Sequence, residues 1–174
     1  MRCHHRRTGY VFNEAVPSDP FDAIHALLEE NSAAALEQLL DRATGSIREP
    51  YAADPNHAWY VAGDIYVRQG AFALAQDCFL NSLDTRLDDV DSLVALANCA
   101  SALGDTAVSE KYLRAALKQS ESAAVLYSLG NALLDQGKFG EALCYFKRVA
   151  VSDSEIYAMA QRNLERCHAM RRDR

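Results

Sequence analysis

Residues 57–83, HAWYVAGDIYVRQGAFALAQDCFLNSL, recur twice in altered form along this chain. Residues 91–117 read DSLVALANCASALGDTAVSEKYLRAAL, and residues 124–150 read AVLYSLGNALLDQGKFGEALCYFKRVA. Laid over one another, the three segments bring Gly63, Ala97 and Gly130 into one column, at spacings of 34 and 33 residues. The same offsets align Gly70 with Gly104 and Gly137, Ala75 with Ser109 and Ala142, and Phe79 with Leu113 and Phe146. A fixed period of this length marks a stacked repeat, in which each unit is too small to bury its own apolar face and relies on its neighbour.

Each column has a physical reading if a repeat is two antiparallel helices. Gly63, Ala97 and Gly130 are small where the first helix crosses the second, and Ala75, Ser109 and Ala142 are small on the opposing side. Phe79, Leu113 and Phe146 fill the space between one repeat and its successor. Gly70, Gly104 and Gly137 end each first helix, where a residue with positive φ can satisfy the dangling carbonyls and turn the chain.

Trp59, Gly63, Tyr66, Gly70, Phe72, Ala75 and Phe79 in the first segment resemble the 34-residue tetratricopeptide repeat. In the third segment Leu126, Leu129, Gly130, Gly137, Phe139, Ala142 and Phe146 follow the same pattern. The middle segment departs most, with Ala97, Ala100, Thr106 and Ser109, and none has the family's usual proline; Leu87, Glu121 and Ser154 stand there. The resemblance implies an all-α, right-handed α-solenoid of three helix-turn-helix repeats, at 56–89, 90–122 and 123–154. N-terminal helices over 19–44, a connecting loop over 45–55 and a C-terminal capping helix over 155–171 complete the expected layout, behind a disordered basic tail at 1–18.

The flanks support this division. In 20–43, Phe21, Ile24, Leu27 and Leu28 form one apolar stripe and Leu36, Leu39 and Leu40 another, with Asn31 and Ser32 placed to break or cap between them. Asp19 before Pro20 suits a helix start, as does Asp54 before Pro55. This segment is expected to cover the open end of the first repeat or to pair with a second copy as a homodimer. At the far end Ser152 and Glu155 have the spacing of a capping box, and Ile156, Ala160, Leu164 and Cys167 share a face.

The formal charge of −6 is unevenly spread, since residues 19–161 carry 21 acidic against 10 basic side chains while arginines gather at both ends. An acidic body repels phosphate backbones, so no nucleic-acid partner is expected. No run approaches the roughly 20 apolar residues that span a bilayer, so no membrane partner is expected either. Five cysteines at 3, 78, 99, 144 and 167 fit neither a disulfide framework nor a zinc site and point to a cytoplasmic setting. Cys78, Cys99 and Cys144 read as small hydrophobes, Cys3-His4-His5 as part of the tail, and Asp88, Asp89 and Asp91 as helix capping rather than a calcium loop. No phosphate loop, nucleophile elbow or metalloprotease helix occurs, so neither a catalytic site, a metal nor a cofactor is expected.

In a stack of this kind the first helices line the concave side. Counting from the aligned small residue, the inward set is His57, Tyr60, Asp64 and Val67, then Asp91, Val94, Asn98 and Ser101, then Ala124, Tyr127, Asn131 and Leu134. Of these, Tyr60, Asp64, Val67, Val94, Asn98, Ser101, Tyr127, Asn131 and Leu134 are the candidate peptide-binding residues. Asparagine offers both a donor and an acceptor, so Asn98 and Asn131 can read a peptide backbone, and tyrosine adds contact area at small entropic cost. One subclass of the family binds the carboxylate of chaperone tails through groove cations. Here Tyr60, Asp64 and Ala124 stand where those cations would be, which favours an extended partner segment of apolar or basic character. The expected function is a non-enzymatic protein-interaction scaffold, an adaptor or chaperone. In layout the chain is also loosely similar to bacterial type III secretion chaperones for translocator proteins, and a self-associating structural subunit is the other alternative.

Overall fold

The computed structural model describes residues 19–172, and the expected tail at 1–18 lies outside them. Two short helices, α1 (Pro20–Glu30) and α2 (Ser32–Leu39), come first. A minimal antiparallel hairpin follows, β1 (Leu40–Asp41) against β2 (Ser46–Ile47), with Leu40 opposite Ile47. After a 3₁₀ turn at Tyr51–Ala53 the chain enters three helix pairs: α3 (Pro55–Arg68) with α4 (Phe72–Thr85), α5 (Val90–Ala102) with α6 (Thr106–Gln119), and α7 (Ala123–Asp135) with α8 (Phe139–Arg148). The last helix is α9 (Ser154–Arg172). The fold is an all-α solenoid, each helix packing mainly on its neighbours in sequence.

Local chemistry fixes most helix starts. Asp19 accepts from Phe21 N at 2.9 Å, Asn31 from Ala34 N at 3.1 Å and Asp54 from His57 N at 3.1 Å. Asp89 caps α5 through Ser92 N, Asp105 caps α6 through Val108 N and Ser122 caps α7 through Val125 N. Each cap satisfies an N–H that the helix itself leaves unpaired. The last helix opens at Ser154, one residue later than a cap at Ser152 implies; Tyr157 N donates to the Asp153 carbonyl there.

The three turn glycines do one job. Gly70, Gly104 and Gly137 have φ of 72°, 87° and 73°. The residue after each donates its N–H back to the preceding helix, Ala71 to the Tyr66 carbonyl, Asp105 to Ala100 and Lys138 to Leu133, at 2.8–2.9 Å. This closes the first helix with a Schellman-type cap and reverses the chain within three residues.

The packing changes the reason for the first small column. A Cβ on Gly63 would stand 2.5 Å from the Phe79 ring, and one on Gly130 would stand 2.4 Å from the Phe146 ring. Gly63 is therefore small to admit the aromatic ring of its own repeat, not only to let backbones approach. Repeat two makes the opposite trade, with Ala97 facing the smaller Leu113 inside one buried cluster. Phe79 also shares a buried cluster with Leu93, Leu96 and Val125 of the following repeats.

Residues 40–55 hold more structure than a plain connector. Arg48 Nε donates to the Leu40 carbonyl at 3.1 Å across the hairpin, and Tyr51 is buried with its ring 5.3 Å from that of Phe21. Together with Ile24, Leu36 and Leu39 these residues cover the outer face of α3 at Ala58, Val61, Ala62 and Ile65. The N-terminal helices thus close the open end of the first repeat.

Polar groups tie the pairs together as well. Ser82 Oγ, fully buried on α4, donates to the Asn56 carbonyl at 2.9 Å and meets Ser92 Oγ at 2.9 Å, while Asn56 Nδ2 donates back to Ser82. Ser92 Oγ in turn donates to Asp89. On the outer face Glu110 accepts from Arg114 Nε and from Lys138 Nζ, both at 2.7 Å, and Arg114 continues to Glu141 at 3.2 Å. The Lys138 ammonium, with the Arg114 guanidinium beside it, holds the Glu110 carboxyl down at about 2 despite some opposing desolvation.

Because the folded value lies below that of the free side chain, Glu110 adds stability that is fully present above about pH 4.5. That stability is lost as pH falls towards 2. Arg114 and Lys138 are each 42% exposed, so water screens the cluster and its worth is about 1 kcal/mol. Glu110→Gln is expected to lower the unfolding free energy by about that amount at neutral pH, and to flatten its pH dependence between 4.5 and 2. Urea melts across that range measure both effects.

Candidate peptide groove

The first helices α3, α5 and α7 line a cavity of about 200 Å³. It brings together five of the nine candidate residues, Tyr60, Asp64, Val67, Val94 and Asn98, and adds Val90, Asp91, Ala124 and Val125. Phe79 forms part of its wall, with its ring centroid 5.5 Å from that of Tyr60. Val90 and Val125, which helical counting does not place in the groove, also line it.

Its electrostatics are acidic. Burial, and then the charges of Asp91, Asp64 and Asp89, raise the Tyr60 hydroxyl above its ordinary pKa. Asp64 is paired with Arg68 at 2.9 Å, whereas Asp91 is exposed at the rim and makes no ion pair among the described residues. Asn98 is exposed with no hydrogen-bond partner among the described residues, leaving its amide available to a ligand backbone. A second hollow beside the first is lined by His57, Tyr60 and Arg86 with Asp54, Asp89 and Asp91, three carboxylates to one guanidinium.

The other four candidates lie elsewhere, and the open groove is shorter than the sequence implies. Ser101 Oγ donates to Ser109 Oγ at 2.9 Å, because its helix turns that hydroxyl towards α6. Leu134 is 6% exposed and belongs to the core formed with α8 and α9. Asn131 and Tyr127 meet α9, where Asn163 Nδ2 donates to Asn131 Oδ1 at 2.7 Å and to the Tyr127 hydroxyl at 3.4 Å. Arg166 then donates to Asn163 Oδ1 at 3.1 Å, which fixes the amide's orientation. The two groove asparagines are thus unequal: Asn98 is open and Asn131 is engaged.

The cysteines divide similarly. Cys78, Cys99 and Cys167 are buried, and burial pushes the Cys78 thiol up to about 12 and that of Cys99 to about 11. Cys144 is exposed on α8 instead of being packed, its thiol directed at the Gly140 carbonyl at 3.4 Å. Asp89 serves as the cap of α5, as the capping reading of the aspartate cluster requires.

Residues 94–155 match the family model described as tetratricopeptide repeat. The match takes in most of the second helix pair and all of the third, and the three pairs together have the fold of tetratricopeptide-repeat solenoids. Solved structures with the same fold include TTC0263, a thermophilic tetratricopeptide protein of Thermus thermophilus. It is 19% identical with a TM-score of 0.68, over 86% of this chain and 83% of that one. The first tetratricopeptide domain of Spaghetti (RPAP3), bound to the HSP90 peptide SRMEEVD, is 20% identical with a TM-score of 0.62, over 66% of this chain and 94% of that one. YrrB, a tetratricopeptide protein with an unusual peptide-binding site, is 21% identical with a TM-score of 0.60, over 88% of this chain and 72% of that one. No curated protein sequence matches the chain. Among the described residues, no helix is long and apolar enough to cross a membrane.

Proposed function

We propose that the chain is a non-enzymatic adaptor or chaperone that holds an extended protein segment across the first two repeats of its concave groove. The observation that carries this reading is the open cavity between α3, α5 and α7, walled by valines and edged by the free amide of Asn98. Valine walls supply apolar contact, Tyr60 supplies a broad half-buried ring, and Asn98 can pair with a peptide N–H and carbonyl together. Two structural relatives bind peptides by their printed descriptions, which favours the same kind of ligand here. The anionic tail bound by one of them suits this groove poorly, since Asp64, Asp91 and Tyr60 face the space that an anion would enter.

The footprint ends near Ala124, because α9 engages Asn131 and Tyr127. This division of the groove makes the reading testable. Partners retained by the immobilised full-length chain should be lost when Tyr60→Ala and Asn98→Ala are combined, with helicity unchanged. Asn131→Ala should retain them. Retention by the Tyr60/Asn98 variant would move the binding site off the groove.

A further inference from the structure

We infer that the groove cavity takes the side chain of an arginine flanked by apolar residues in the bound segment. The inference rests on the peptide-groove reading above and specifies what that groove selects.

The cavity is apolar within and acidic at its rim. Val67, Val94 and Val125 form its sides with the Phe79 ring, while Asp64 and Asp91 stand with the Tyr60 hydroxyl among its polar lining. A long cationic side chain has the matching division, with a methylene stem for the valines and a charged head for the carboxylates. A wholly apolar side chain would fill the volume but would strip water from Asp91 with nothing to replace it. An acidic side chain would meet Asp64 and Asp91 directly. The nearby cations offer it little, for Arg68 is committed to Asp64 at 2.9 Å with Glu29 at 3.9 Å, and Arg86 shares its hollow with Asp54, Asp89 and Asp91.

Arginine fits better than lysine on two counts. Its planar head can accept the face of Tyr60 as well as the carboxylate of Asp91, and it gives up hydration more readily than an ammonium. Asp91 is the principal charge because it alone of the two rim carboxylates has no ion-pair partner among the described residues. Asn98 stands among the same cavity residues and can hold the backbone on which the arginine is carried.

The test uses the full chain and a fluorescein-labelled heptapeptide, Ala-Ala-Val-Arg-Val-Ala-Ala, compared with versions carrying norleucine or glutamate at the centre. Fluorescence anisotropy should give at least about tenfold tighter binding for arginine than for glutamate, the size expected of one partly exposed charge pair. Asp91→Asn should abolish most of the arginine peptide's advantage over norleucine, weakening the arginine peptide and tightening norleucine, which then desolvates no charge. Equal binding of the arginine and glutamate peptides, lost together in the Tyr60/Asn98 variant, would overturn the arginine-selective pocket and leave the groove standing. Binding that survives the Tyr60/Asn98 substitutions, or no binding of any of the peptides at millimolar concentration, would overturn the groove reading and this inference with it.

Discussion

Ala142→Glu is expected to abolish the cooperative fold. Ala142 is fully buried on α8 inside the cluster that joins α7, α8 and α9, with Leu129, Phe146 and Ala160 among its members. A glutamate there would lose its hydration inside an apolar cluster, and its longer side chain would force α8 away from its neighbours. The cost is on the order of several kcal/mol, a large part of what a domain of this size has in reserve. Loss of the third pair would also undock α9, so thermal melts followed by circular dichroism should show no single sharp transition. Ala73→Glu, at an exposed position on α4, serves as the control and should change stability by less than about 0.5 kcal/mol.

The second large effect concerns the glycine beneath the aromatic ring. Gly130→Ala places a methyl 2.4 Å from Phe146, inside any tolerable contact, and the ring cannot withdraw from a core this tight. Overpacking costs about 1–3 kcal/mol, and the better helix propensity of alanine returns only about 1 kcal/mol of it. Repeat two shows the compensating change, since Ala97 and Leu113 occupy the same columns. Adding Phe146→Leu to Gly130→Ala should therefore cost less than the two single changes summed, by about 1–2 kcal/mol in a denaturant double-mutant cycle. Additive costs would mean that the pairing of small and large residues across repeats is coincidental. Gly63 with Phe79 is the same test in the first repeat.

Much of this architecture could be read from the sequence because repetition multiplies weak signals. No single glycine specifies a turn, but Gly70, Gly104 and Gly137 at a shared offset do, and all three close their helices by the same hydrogen bond. Phe79 and Gly63 were likewise visible as columns. Their mutual contact was not, because periodicity places residues on a helix face without saying which neighbour they touch. The short hairpin and the buried Tyr51 were illegible for a different reason. Two-residue strands carry no alternation, and Tyr51 is buried by residues distant in sequence, Phe21 of α1 and the cluster of α2 and α3 among them.

The groove shows the same boundary between what one repeat dictates and what the stack dictates. Tyr60, Asp64, Val67, Val94 and Asn98 fall together as helical counting implies. Asn131 obeys the same count and yet is engaged, since the obstruction comes from Asn163, 32 residues away on a helix outside the repeat. Cys144 is exposed, not packed, because α8 has a narrow apolar stripe through Phe139, Ala142, Leu143 and Phe146 and Cys144 lies off it.

The most direct test of the account is the location of the bound segment. In an isotope-labelled full-length chain titrated with the arginine-centred heptapeptide, amide shift changes should concentrate in α3 and α5, around residues 60–67 and 91–98, with α9 little affected. Changes confined to the outer helices α4, α6 and α8, or spread along α9 with α3 silent, would contradict it.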